Sequence, residues 1–260
     1  TYATGTSSVV VRFVKQRLMA GVANAIYELN PNTTASTTLP GTALPTATFT
    51  HPSSTWVWTS ICEGPNAIYY AGKNRTNSSI FKIGLTTGTT ALGFPTLATP
   101  TEIAQFPVTE IVNAIDVYLG TYAVLATNKG FRVGVSDTNG NIQYGPLLFD
   151  QAACNSIAFR DRFAYIATTI DGEAGLVKVD LSTTVIANSL VFPWAWDLIA
   201  TGTTTTASQV AFFGNSDRAA FTSGNVIYAE STTDKVTSGY LQTGFIRYNT
   251  LENKLYKLLN

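Results

Sequence analysis

The sequence predicts an all-β chain, a β-propeller of five four-stranded blades. Three observations lead there. Helical periodicity is almost absent. Short apolar runs alternate with Gly, Asn, Asp and Thr turns, which is a strand signal. And one four-strand outline recurs along the chain.

One unit shows the outline best. Ile111 to Tyr118 reads as a strand, and Thr121 to Thr127 as a second one after Gly120. The turn Asn128-Lys129-Gly130 leads into a third strand, Phe131 to Val135. Asp137-Thr138-Asn139-Gly140-Asn141 then turns the chain into Ile142 to Phe149. Its Asn-Gly pair is a strong hairpin signal. Four antiparallel strands in about 40 residues is the size of one propeller blade.

The other units repeat this with weak identity. The second strand carries a large residue, then small ones, at Leu18 to Gly21, Tyr69 to Gly72, Val124 to Thr127, Tyr165 to Thr168 and Ala220 to Ser223. A third strand follows each time: Ala25 to Leu29, Ile80 to Leu85, Phe131 to Val135, Leu176 to Leu181 and Val226 to Ala229. The spacing of about 40 to 55 residues is the period expected of blades. An isolated four-stranded sheet exposes two faces and two edges. Packing sheets round an axis covers the faces and keeps the edges short. A two-layer sandwich, also built of short strands and turns, is the rival arrangement.

The propeller is expected over residues 1–248. Residues 249–260 are expected to lead out of it or into a further domain, or else to form a short packed helix, for which Leu251 to Leu259 is the best candidate in the chain. Two stretches break the rhythm: 31 to 53 and 86 to 109 are rich in Thr and Pro and read as long connections or as a loop contact surface. The chain opens Thr1-Tyr2-Ala3-Thr4-Gly5, which suggests a processed product or a piece of a longer polypeptide.

Composition narrows the function. Charged residues make up 12%, about half the usual share, and 16 basic residues cancel 16 acidic ones. Such a chain carries no electrostatic footprint for nucleic acid or an anionic membrane. No apolar run approaches the length of a membrane span, so membrane insertion is not expected. Cys62 and Cys154 are far apart and belong to no CxxC, so two buried thiols are expected rather than a disulfide or a metal site.

Catalytic patterns are scarce. His51, the single histidine, would have to serve any Ser-His-Asp or Cys-His triad, and it reads as an exposed loop residue. No GxSxG, GxxxxGK[ST] or GxGxxG occurs. Glu63, Asp116, Asp161 and Asp217 fall at comparable places in successive units. They could form a ring of acids, but acids at strand ends ordinarily accept from turn amides. The Asp137 to Asn141 oxygens resemble part of a calcium loop, but the bidentate Glu is missing, and a hairpin turn accounts for them. Neither a metal nor another cofactor is expected, and the chain is read as a non-enzyme. Asn32, Asn74 and Asn77 are formal glycosylation sequons that would matter only in a eukaryotic secretory setting.

The aromatics offer more. Trp56 and Trp58 lie two apart, as do Trp194 and Trp196. On a strand such a pair points to one face. Coplanar indoles would form a carbohydrate platform; the alternative is that they wedge adjacent sheets apart.

Three segments carry a family resemblance. Ala126-Thr127-Asn128-Lys129-Gly130-Phe131-Arg132-Val133-Gly134, followed by Tyr144-Gly145-Pro146-Leu147, resembles the propeller region of minor tail proteins of long-tailed phages infecting actinobacteria. Arg17 to Gly21 with Ala25 to Leu29 resembles their opening blade, and Gly239 to Lys254 the segment that leaves it. The resemblance implies a structural virion protein at the tail tip, extracellular, with a surface for host recognition. Its implied partners are other tail proteins, a host cell-envelope glycan or receptor, and further copies of the chain. It supplies no catalytic residue. A lectin-like cell-surface or secreted propeller and a glycoside-acting enzyme are the alternatives.

Overall fold

A computed structural model of the chain describes residues 9–29, 45–90, 93–185 and 189–233. Every regular element among them is a strand, in five antiparallel sheets. The first sheet holds β1 (Val9–Val14), β2 (Arg17–Val22), β3 (Ala25–Glu28) and β4 (Phe49–Thr50). The second holds β5 (Val57–Glu63), β6 (Ala67–Lys73), β7 (Ser78–Thr89), β8 (Pro95–Leu97) and β9 (Thr101–Gln105). The third holds β10 (Val112–Tyr118), β11 (Tyr122–Thr127), β12 (Gly130–Ser136) and β13 (Ile142–Tyr144). The fourth holds β14 (Ser156–Arg160), β15 (Phe163–Ile170), β16 (Glu173–Asp180) and β17 (Trp194–Ala200). The fifth holds β18 (Ala207–Phe213), β19 (Arg218–Ser223) and β20 (Val226–Ala229).

All five expected second strands and all five third strands are present. The strand complement departs from four per sheet. The second sheet has five strands, and the fifth has three among the described residues. Residues 86 to 109 are not a long connection. The Thr-rich run extends β7 to Thr89, β8 folds back on its distal half, and β9 pairs with its proximal half. Thr is β-branched and favours extended backbone, which the apolar pattern did not register.

Tight turns set the registers. Lys15 and Gln16 both have positive φ (48° and 60°), as do Asp171 and Gly172 (50° and 84°), the conformation that suits two-residue hairpins. Asp137 organises the β12–β13 turn. Its carboxylate accepts from the amides of Asn139 and Asn141 at 2.9 and 2.7 Å, so these oxygens serve a hairpin.

Two compact units divide the chain, Thr1–Glu230 and Ser231–Asn260, and the strands of the described residues lie in the first. The expected boundary at residue 248, the segment 249–260 and its candidate helix lie outside the described residues, as does most of the stretch 31 to 53.

The core is a series of layers between successive sheets. Met19 and Ile26 of the first sheet meet Trp58, Ile68 and Phe81 of the second. Tyr69 and Ile80 of the second meet Ile115 and Leu125 of the third. Val124 and Phe131 of the third meet Ile166 and Val177 of the fourth. Tyr165 and Leu176 of the fourth meet Ala219 and Phe221 of the fifth. Strand alternation lets one sheet feed both neighbours: on β11, Val124 and Ala126 face one side, Ala123 and Leu125 the other. The series leaves apolar groups exposed at its two ends. Val9, Val11 and Phe13 do so on β1, and Phe213, Val226 and Ile227 on the fifth sheet.

Candidate functional site

Two polar cavities stand out. The first, about 350 Å³, is lined by the opening strands of all five sheets or the residues leading into them. The lining repeats a short motif: Thr59-Ser60-Ile61, Asn113-Ala114-Ile115 and Asn155-Ser156-Ile157, a polar residue, a small one, then Ile. Strand register breaks at Thr59 and at Asn113, turning each side chain out of the ladder. Each then reaches the next sheet. Thr59 Oγ1 donates to Val112 O at 2.8 Å, Asn113 Nδ2 to Cys154 O at 2.9 Å, and Asn155 Nδ2 to Ala207 O at 2.8 Å. Ser60 Oγ accepts from Ile115 N at 3.1 Å, and Ser156 Oγ from Val210 N at 3.3 Å. These bonds stitch second to third, third to fourth and fourth to fifth sheet, each contributing about 0.5–1.5 kcal/mol.

Charge closes one end of this cavity. Arg12 donates to Ile61 O at 3.0 Å and pairs with Asp116 at 2.7 Å. Nearby, Glu63 accepts from the Lys15 amide at 2.9 Å and pairs with its ammonium at 3.1 Å. The amide bond, followed by the cation, holds the Glu63 carboxyl below its usual range. Of the four acids aligned in the sequence, Glu63 and Asp116 border one cavity and pair with cations. Asp161 and Asp217 instead sit in turns with positive φ.

The second cavity, about 310 Å³, lies on the second sheet. His51 is not an exposed loop residue. It stacks on Trp56 at 4.3 Å and 17°, meets Phe81 edge-on, and its Nδ1 accepts from Ser53 N. Glu102 and Gln105 of β9 and Ser79 of β7 complete the walls. Among the described residues, no group of three or more His, Cys, Asp or Glu is placed to hold a metal.

The tryptophans split. Trp56 and Trp58 are 4% and 1% exposed and meet edge-on at 73°, so they present no coplanar platform. Trp58 packs against Gly21 of the first sheet, and Trp56 against Gly72 of its own. Trp194 and Trp196 do share one face of β17, opposite Val179 and Val177. Trp194 is half-exposed and edge-on to Phe149, while Trp196 is partly buried against the layer between third and fourth sheets. The Nε1 atoms of Trp56, Trp58 and Trp196 are buried without a hydrogen-bond partner. Cys62 and Cys154 are free and fully buried. Burial pushes the Cys154 thiol up to about 12 and raises Cys62 well above the usual range, which makes both poor nucleophiles.

The polar–small–Ile motif and the cavity on the second sheet were not identified from the sequence. The motif was legible as a repeat at the head of the second, third and fourth units. The cavity was not, because its residues come from three separate segments. No protein-family model matches the chain, and no curated protein matches it either.

Proposed function

We propose that the five sheets are blades of a closed β-propeller, and that this propeller is a non-catalytic recognition and packing module at the tip of a long-tailed phage tail. The observation that carries the propeller is the single cavity bordered by the opening segments of all five sheets. Successive layers of core and successive side-chain bonds follow the same order, first to fifth. The apolar groups left over, Val9, Val11 and Phe13 at one end and Phe213 and Ile227 at the other, are the ones a ring would bring together.

The module reading follows from how the polar groups are used. Thr59, Asn113, Asn155, Ser60 and Ser156 are engaged in holding sheets together. That use favours a scaffold over a catalyst. Loops and outer strands remain for contact with tail neighbours, further copies of the chain and the host envelope. The tail setting is supported by the resemblance of the three segments described above.

Antibodies raised against the folded chain test the setting. Electron microscopy of labelled virions should show gold at the tail tip, and the free protein should slow adsorption to host cells. Label confined to the head, or to the host cell with no virion labelled, would remove the tail assignment.

A further inference from the structure

We infer that the cavity on the second sheet binds one neutral sugar residue. The inference names a ligand for the recognition module proposed above and rests on that reading.

The floor is built rather than accidental. Ser79 is 4% exposed, lines the cavity and has no hydrogen-bond partner for its hydroxyl among the described residues. A hydroxyl held in a buried residue with nothing to bond is a group waiting for a ligand or a water. Beside it stands the His51–Trp56 stack. With Nδ1 accepting from Ser53, the neutral imidazole carries its proton on Nε2 and offers a donor.

Strand register supplies the opposite wall. Gln105 pairs directly with Ser79, and Glu102 with Phe81, so both β9 side chains project to the face that Ser79 occupies. Glu102 makes no ion pair and Gln105 no side-chain hydrogen bond among the described residues. Across the cavity, Asn74 Oδ1 accepts from the amides of Thr76 and Asn77, which fixes the turn and leaves Nδ2 a donor without a partner among the described residues.

The donor and acceptor count selects the ligand class. Asn74 and His51 donate, Glu102 accepts, and Ser79 and Gln105 do both. Sugar hydroxyls also donate and accept, and a carboxylate can take two neighbouring ones. Among the described residues no Lys or Arg lines the cavity, while Glu102 does, so an anion is disfavoured. At about 310 Å³ the space is at the lower end for ligand pockets, which suits a single ring.

The test is a titration of the ¹⁵N-labelled full chain with the methyl glycosides of glucose, galactose, mannose and N-acetylglucosamine, followed by two-dimensional NMR. One of them should shift the Gln105 side-chain amide and the Trp56 indole N–H saturably. Glu102→Gln and Gln105→Ala, both at exposed positions, should each weaken that binding roughly tenfold, about 1.4 kcal/mol, with other resonances unmoved. Tetramethylammonium shifting these signals while no glycoside does would overturn the proposal in favour of a cation site. Silence from all glycosides at tens of millimolar overturns it too. If the Glu102→Gln/Gln105→Ala double variant still slows phage adsorption in that case, recognition stands without this pocket. If the unaltered chain does not slow it either, both readings fall.

Discussion

Arg12 of the first sheet reaches past the second and places Nη2 2.7 Å from Asp116 Oδ2 of the third. Its other terminal nitrogen donates to the Ile61 carbonyl of the second sheet. One side chain thereby ties three sheets at one end of the shared cavity. The side chains are 43% and 18% exposed, so solvent screens the pair. Asp116→Asn should cost about 0.5–1 kcal/mol in urea denaturation. Arg12→Met should cost more, since the Ile61 bond is lost as well. A double-mutant cycle with zero coupling would show that the pair contributes nothing.

The pair of Arg132 and Glu110 should behave differently. Both guanidinium–carboxylate bonds are 2.7 Å, the side chains are 12% and 5% exposed, and Arg132 also donates to Gly145 O. Hydrogen bonding to Glu110 raises the Arg132 pKa further, against the effect of burial. Glu110→Ala leaves a buried cation without its partner and should cost about 3–5 kcal/mol. A loss under about 1 kcal/mol in chemical denaturation would mean that water reaches the site.

Close packing against tryptophan should make two glycines irreplaceable. A Cβ on Gly21 would lie 2.6 Å from Trp58 Cβ, and one on Gly72 would lie 2.3 Å from Trp56 Nε1. The Gly21 contact is with an atom next to the backbone, which cannot rotate aside. Gly21→Ala should cost about 1–3 kcal/mol or more, and Gly72→Ala about 1–3 kcal/mol, through overpacking. Thermal denaturation reads both, and unchanged midpoints would refute the packing.

Acid should weaken the fold through identified carboxylates. The Lys15 amide depresses Glu63, the Asn141 amide depresses Asp137, and the Arg160 guanidinium depresses Glu230. Each has a lower pKa folded than unfolded. Its contribution is therefore complete above the ordinary carboxylate values near about 4 and is lost as pH falls through the depressed folded values. Asp197, raised by burial, acts with the opposite sign: it favours the fold when protonated and loses that contribution as pH rises through its folded value. Urea midpoints should drop between pH 7 and pH 3, and Glu230→Gln should flatten part of the drop. Equal midpoints would contradict the assignment.

Ring closure makes its own prediction. If the end faces of the first and fifth sheets pack together in solution, Val11→Asp buries a charge in an apolar seam and should cost about 2 kcal/mol or more. A surface position would tolerate the change within about 0.5 kcal/mol. The smaller value would mean an open series of sheets.

The strands themselves were written in local sequence. The recurring large-then-small outline placed β2, β6, β11, β15 and β19, and Asn139-Gly140 marked a hairpin, because such outlines and turn chemistry depend on near neighbours only. The strands β8 and β9 escaped, since little apolar alternation marks an outer strand. Only tertiary structure decided what the side chains do. Two tryptophans two residues apart look alike in sequence whether they face water or Gly21 and Gly72. The cavity that gathers His51, Asn74, Ser79 and Gln105 depends on which strands lie side by side. Contacts between residues tens of positions apart are set by sheet packing, and no short-range pattern encodes them.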